Sequence, residues 1–267
     1  MTAGSEELLE LAVRTARSAA RIIESGTARG VTVEATKSSH VDVVTESDRS
    51  AERLIRRAVL EARPDDAVLG EEGDDQPGSS GVRWIVDPID GTVNFLYGIP
   101  QYAVSIAAEV DGEVVAGVVL NVATGAEYTA TLGGPAYRDG HPLTVRATVP
   151  LAERLIGTGF SYEAHQREAQ ARALVRLLPQ IRDIRRFGAC SLDLCGVAEG
   201  SLDGYVEEGV NLWDHAAGGL IARSAGARVE TDRGAGGRLI VLAAPEAGFG
   251  EFRTALAAAG YLSPDHA

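Results

Sequence analysis

The sequence predicts a two-part protein, α+β in its first part and α/β in its second, with a boundary near Pro150. Three observations lead there. Two amphipathic helical patterns precede a run of strand signals centred on an Asp111-Gly112 hairpin, which reads as helices on an antiparallel sheet. Beyond Pro150, short strand candidates alternate with helical segments, the pattern of a second α/β layer. The length, 267 residues, suits one or two domains that each bury a core. The expected division is residues 1–150 and 151–267, with neither internal repeats nor low-complexity tracts.

In chain order, residues 5–24 form the first predicted helix, with Leu8, Leu9, Ala12, Val13, Ala16, Ala19, Ala20 and Ile23 at helical spacing and Gly26 and Gly30 as stops. A second helix is expected from Asp48 to Ala62, ended by Pro64. Val68 and Leu69 give a short strand that stops at Gly70-Glu71-Glu72, and residues 74–81 are a polar loop. Strands are then expected at Trp84–Val86, Tyr102–Val110, Glu113–Leu120, Ala126–Leu132 and Pro142–Val145. In the second part they fall at Leu155–Thr158, Asp183–Arg185, Gly204–Glu207, Arg228–Glu230 and Leu239–Leu242, with helices near 163–178, 190–199, 214–225 and 246–260.

Composition excludes several classes. Hydrophobic residues are 45% and charged residues 24%, a globular balance. A net charge of −13 argues against nucleic acid or an anionic membrane as partner, and leaves a phosphorylated small molecule possible only where a cation supplies positive charge. No apolar run is long enough for a transmembrane helix. Glu6, Glu7 and Glu10 argue against a signal peptide, and two cysteines, Cys190 and Cys195, point to a reducing cytoplasm rather than a disulfide framework.

The densest chemical signal is Trp84-Ile-Val-Asp87-Pro-Ile-Asp90-Gly-Thr92-Val-Asn-Phe95. A strand delivers Asp87, Pro88 turns the chain, and Asp90 follows three residues later, so two carboxylates can converge. Gly91 and Thr92 then open a helix whose free N–H groups attract an anion. Carboxylates beside anion-binding amides need a cation between them, and hard oxygen ligands suit magnesium. The plain structural alternative is an Asp-Pro turn followed by an Asp cap. Glu71-Glu72, Asp214 after Trp213, and Asp42 with Asp48 are three further acidic spots. Taken singly they read equally well as a solvated loop or as helix caps.

Together, Asp42-Val-Val-Thr-Glu-Ser-Asp48, Gly70-Glu71-Glu72, the Asp87 motif and Trp213-Asp214-His-Ala-Ala-Gly resemble the inositol monophosphatase family of magnesium-dependent phosphatases, in order and spacing across the whole chain. The resemblance implies a layered α-β-α-β-α sandwich, a homodimer, lithium inhibition and two or three Mg2+ ions. Glu71, Asp87 and the Ile89 carbonyl would hold one ion, and Asp87, Asp90 and Asp214 a second. It puts most metal ligands in the first part, and Asp214 with the substrate-side residues in the second. It also implies Thr92 and Asp48, with Glu71, as catalytic residues. Asp90, Gly91, Thr92, Glu207 and the Cys190 backbone would bind substrate, and Lys37 would lie on a loop that closes near the metals. Asn211 stands where some members have histidine, and His215 has no ligand partner.

The expected activity is hydrolysis of inositol 1-phosphate or a similar small polyol phosphate by an activated water, which agrees with the lack of a side-chain nucleophile signature. Histidinol phosphate, fructose 1,6-bisphosphate and 3′-phosphoadenosine nucleotides are the alternatives on this fold. A metal- or phosphate-sensing regulatory protein is the alternative of another class.

Overall fold

The structure is a computed structural model and describes residues 4–29, 33–36 and 43–263, with side chains at 4–26 and 44–263. Its architecture is five layers, α-β-α-β-α, as the resemblance implies.

Helix α1 (Ser5–Arg29) runs through Gly26 instead of stopping there, and the glycine allows close approach to Ser47, whose Oγ a Cβ would clash with. The strands β1 (Val33–Thr36) and β2 (Val43–Thr45) make a two-stranded antiparallel ribbon. Helix α2 (Glu46–Ala62) starts two residues earlier than expected and is capped by Thr45.

A seven-stranded sheet follows: β3 (Ala67–Gly70), β4 (Val82–Asp90), β5 (Ala103–Val110), β6 (Glu113–Asn121), β7 (Glu127–Thr131), β8 (Ala136–Arg138) and β9 (His141–Pro142), in that spatial order. Between β4 and β5 lies the six-residue helix α3 (Thr92–Tyr97). The expected all-antiparallel sheet is corrected at one edge, where β3 runs parallel to β4. The strand expected at Pro142–Val145 reduces to the two residues of β9, and Leu143 and Val145 pack on the core from outside it.

The second sheet is mixed, in the order β11-β10-β12-β14-β13. Its parts, with their helices, are β10 (Leu155–Thr158), α4 (Ala164–Leu177), β11 (Asp183–Arg185), α5 (Cys190–Ala198), β12 (Gly204–Glu208), α6 (Leu212–Ser224), β13 (Ala227–Arg233), β14 (Leu239–Pro245) and α7 (Glu246–Ala259). Apolar side chains on both faces of each sheet dictate the layering. Trp84, Val86 and Ile106 bury against α1 and α2, while Ile85, Ala107 and Val119 bury against α5 and α6. The outer face of the second sheet, with Ile156, Val206 and Leu242, is covered by α4 and α7. Helices α5 and α6 therefore lie between the two sheets, where their first turns meet the end of β4.

Candidate active site

Strand β4 is central in the first sheet and buried along almost its whole length. Its ladder to β5 pairs Asp87 with Ser105 and then Asp90 with Ala103, so one extra residue is inserted at Pro88-Ile89. A bulge of this kind reverses the alternation of side chains. Ile85 faces α5 and α6, whereas Ile89, four residues on, faces the α1–α2 core. Asp90 is thereby brought to the side of Asp87, as the three-residue spacing suggested. The Ile89 amide donates to Asp87 Oδ1 at 3.0 Å and fixes the turn. Gly91 follows at φ 92°, in the left-handed region, and a side chain there would also meet the Gln101 carbonyl at 2.8 Å.

Asp214 arrives from the other part of the chain. Asn211 is the N-cap of α6, and Asp214 is the third helical residue, its Oδ2 accepting from the Asn211 amide at 2.6 Å. It is not the cap itself. The preceding residue, Trp213, accepts through its carbonyl from Ser105 Oγ at 3.3 Å, which ties α6 to the strand position opposite Asp87. Asp87, Asp90 and Asp214 each present a carboxylate oxygen, and these three atoms lie within 4.8 Å of one another. Glu71 follows β3, its amide donating to the carbonyl of Val86, the residue before Asp87.

Burial pushes the Asp87 carboxyl well above its usual range, and the charges of Glu71, Asp90 and Asp214 add to the effect. Asp214 moves the same way, by burial and then by Glu71 and Asp90. Burial also raises Asp90, to about 7, although hydrogen bonds from Ser191 oppose it. Several crowded carboxylates with raised pKa values are a site built for positive charge, and an all-oxygen donor set fits a hard divalent cation. His215, the next residue, is pushed down to about 4 by burial and by Arg223, so it is neutral near pH 7.

Asp48 is fully buried in the first turn of α2. Its Oδ2 accepts from the Thr45 amide at 2.8 Å and from the Thr45 hydroxyl, so it is the third residue of a capping box and not the cap. Its other oxygen, Oδ1, is 3.2 Å from Thr92 Oγ1, which also lies 3.0 Å from the Ile89 carbonyl. Thr92 is held by α3, whose Phe95 stacks edge-on against Tyr102 and whose Asn94 amide donates to the carbonyls of Gln101 and Phe187.

These residues line a cavity of about 260 Å³ that includes Glu71, Asp87, Ile89, Asp90, Gly91, Thr92, Cys190, Glu207 and Asp214. Glu207 projects from β12, and Tyr205, two residues earlier on the same face, donates its hydroxyl to Glu207 Oε2 at 2.7 Å. Gly159 makes room for it: a side chain there would meet the Glu207 carboxylate at 2.0 Å. The neighbouring Glu208 points elsewhere and binds the amides of Gly236 and Arg238. Cys190 is buried and its thiol is pushed up by burial and by the surrounding carboxylates, which makes it a poor nucleophile. Lys37 and Asp42 lie outside the described residues.

Two residues that hold the site's carboxylates in place escaped the sequence reading. Tyr205 looks like any strand tyrosine, with no motif around it. Ser191 is the second residue of a Cys-Ser-Leu-Asp-Leu-Cys helix, and it donates both its amide and its hydroxyl to Asp90. The one available signal was its place beside Cys190, already a candidate.

The chain is similar to known proteins over most of its length. The family model described as "Inositol monophosphatase family" matches residues 5–254. The "Inositol-1-monophosphatase SuhB" of Mycobacterium tuberculosis is 49% identical over 219 residues, 78% of this chain and 76% of that one. The "Nus factor SuhB" of Pseudomonas aeruginosa is 39% identical over 230 residues, 84% of this chain and 85% of that one. Among solved structures, Mycobacterium tuberculosis SuhB superposes with a TM-score of 0.85 at 41% identity, covering 98% of this chain and 100% of that one.

Proposed function

This chain belongs to the inositol monophosphatase family, a family of phosphatases, and we propose that it is a magnesium-dependent phosphomonoesterase acting on inositol 1-phosphate or a similar small polyol phosphate. The observation that carries the reading is the Asp87, Asp90 and Asp214 cluster facing a cavity that Thr92 also lines, with the buried Asp48 behind the Thr92 hydroxyl. The Mycobacterium relative's name supports the choice of substrate.

In this reading Glu71, Asp87 and the Ile89 carbonyl would hold one cation, Asp87, Asp90 and Asp214 another, and Glu71 would serve a third. Bound cations would neutralise phosphate charge and ease deprotonation of water. The protein's own groups do the rest. Gly91 and Thr92 place backbone N–H groups against phosphate oxygens. Thr92 Oγ1 orients the attacking water and accepts its proton, while its own proton passes to Asp48 Oδ1, 3.2 Å away. Glu207, fixed by Tyr205, and the Cys190 amide face the polyol hydroxyls. Residues 1–150 supply most cation ligands, and 151–267 supply Asp214 and the polyol side.

The test is phosphate release from inositol 1-phosphate, fructose 1,6-bisphosphate, histidinol phosphate and 3′-phosphoadenosine 5′-phosphate, with and without magnesium and lithium. Magnesium-dependent, lithium-sensitive turnover that favours inositol 1-phosphate supports the reading, and no turnover from folded protein overturns it. Light scattering of the same sample tests the homodimer. A second reading, regulation through a partner, is favoured by the Pseudomonas relative's name as a Nus factor. Partner capture that survives Asp90→Asn, in a protein without phosphatase activity, would select it.

A further inference from the structure

Resting on the cation-dependent phosphatase reading, we infer that Ser191 is a positioning residue that sets which oxygen of Asp90 faces the cation and how far Asp90 stands from Asp214. Ser191 lies 101 residues beyond Asp90, in the first turn of α5. It sends two bonds to the same carboxylate oxygen: its amide reaches Asp90 Oδ2 at 2.7 Å and its hydroxyl reaches it at 2.5 Å. Ser191 is 0% exposed and Asp90 7%, so water does not compete for these bonds. Asp90 Oδ1 accepts no hydrogen bond among the described residues. One oxygen is saturated by donors, and the other is left for a ligand.

The arrangement serves the helix as well. The N-cap of α5 is Ala189, which has no side-chain acceptor. Asp90 caps α5 from the neighbouring sheet, so the first turn of α5 and the end of β4 hold each other in place. An alanine at 191 would keep the amide bond and lose the hydroxyl bond. The serine side chain is therefore specific to the carboxylate and is not needed for the cap.

A second contact runs through the backbone of the same residue. The Ser191 carbonyl lies against Gly218 of α6, where a side chain would meet it at 2.9 Å. Gly218 is one turn after Asp214 and on the same helix face. Ser191 thus touches Asp90 with its hydroxyl and the carrier of Asp214 with its carbonyl. Two carboxylates from opposite parts of the chain are spaced by one residue.

The experiment is a Mn2+ binding titration by electron paramagnetic resonance on the full chain, comparing wild type with Ser191→Ala, Ser191→Cys and Ser191→Thr. The magnesium concentration for half-maximal phosphate release is measured alongside. Loss of a group that orients a ligand weakens metal affinity by roughly 10–100-fold. With the amide bond retained, Ser191→Ala should sit near the lower end, about tenfold, with a matching rise in the magnesium requirement. Ser191→Cys keeps the volume without a strong donor and should behave like alanine, which also covers the case that alanine does not fold. Ser191→Thr should restore most of the affinity. Unchanged Mn2+ affinity in both the alanine and cysteine variants, or a threonine variant as weak as they are, overturns the role of the hydroxyl while leaving the phosphatase reading standing. A wild type that neither binds Mn2+ nor releases phosphate overturns that reading instead.

Discussion

Thr92 Oγ1 stands 3.2 Å from Asp48 Oδ1, a hydroxyl at the start of one helix facing a carboxylate at the start of another, 44 residues apart in the chain. The second oxygen of Asp48 is occupied by Thr45, so the carboxylate cannot turn away. The short α3 holds the hydroxyl in turn, through the burial of Phe95 and the two hydrogen bonds that the Asn94 amide donates.

Thr92→Val removes the hydroxyl and keeps the shape. It should lower kcat by about 10²–10⁴-fold, the usual weight of a general acid–base partner, with a smaller change in KM. Thr92→Ser should recover most of the loss. Steady-state phosphate release checks this, and a valine variant with wild-type kcat removes the Thr92–Asp48 pair from the mechanism.

The buried carboxylates predict how stability depends on pH without cations. Asp90 has its pKa raised to about 7 in the folded protein, and Asp87 and Asp214 also lie above their usual range, each chiefly through burial. A raised carboxylate binds its proton more tightly folded than unfolded, so folding is favoured at low pH. For Asp90 that advantage is lost as pH rises from the ordinary carboxylate range through about 7. The melting temperature in EDTA should therefore fall between pH 5 and 8. Added magnesium should raise it more at pH 8 than at pH 5.5. Differential scanning fluorimetry in both conditions decides, and an equal magnesium response at the two pH values counts against a cation on these groups.

Asp90→Asn separates the charge from the shape. The amide oxygen can still accept from Ser191, so the variant should fold. At pH 8 without cations it should melt above the wild type, because one buried charge is gone, while its phosphatase activity falls by at least about 10³-fold. Melting and turnover would move in opposite directions, a result that general disruption of the fold does not give.

Glu207 offers a test of the polyol side. Tyr205→Phe removes its hydrogen bond and should raise KM roughly tenfold, the weight of a bond to a charged group, with little effect on kcat. Gly159→Ala puts a methyl group where the carboxylate now lies and should raise KM further. The ratio of rates on inositol 1-phosphate and a simple aryl phosphate reports both, since only the former offers hydroxyls to Glu207. An unaltered ratio in both variants removes Glu207 from recognition.

Local chemistry was the legible part of this sequence. Asp87 and Asp90 stand out because carboxylates at the end of an apolar strand need a reason to be there, and Pro88 marks the break in the ladder. The Asp111-Gly112 hairpin and the alternation after Pro150 placed β5, β6, β7, β10, β11 and β12 within a residue, while β1, β2 and β8 carried no strand signal that was read. What depends on distant partners was hidden. The parallel β3–β4 pairing comes from a loop with no helical crossover, so no periodicity announces it. Asp48 and Asp214 read as helix caps because a capping-box residue at the third position has the same local signature as a cap. Only the observed partners, Thr45 and Asn211, separate the two. Ser191 and Tyr205 act on groups brought near by the fold, and nothing adjacent to them in the chain marks them out.

The bulge at Pro88-Ile89 puts two acids on one face of β4, but the third arrives only with α6. A chain emerging from the ribosome carries Asp87 and Asp90 long before it carries Asp214, and before Ser191 is there to hold Asp90. Until α6 is made and docked, the acids repel one another with no counter-ion cage to receive them. In the cation-dependent reading, the ligand set is then complete only once the chain has been made as far as α6 and α6 has found its place.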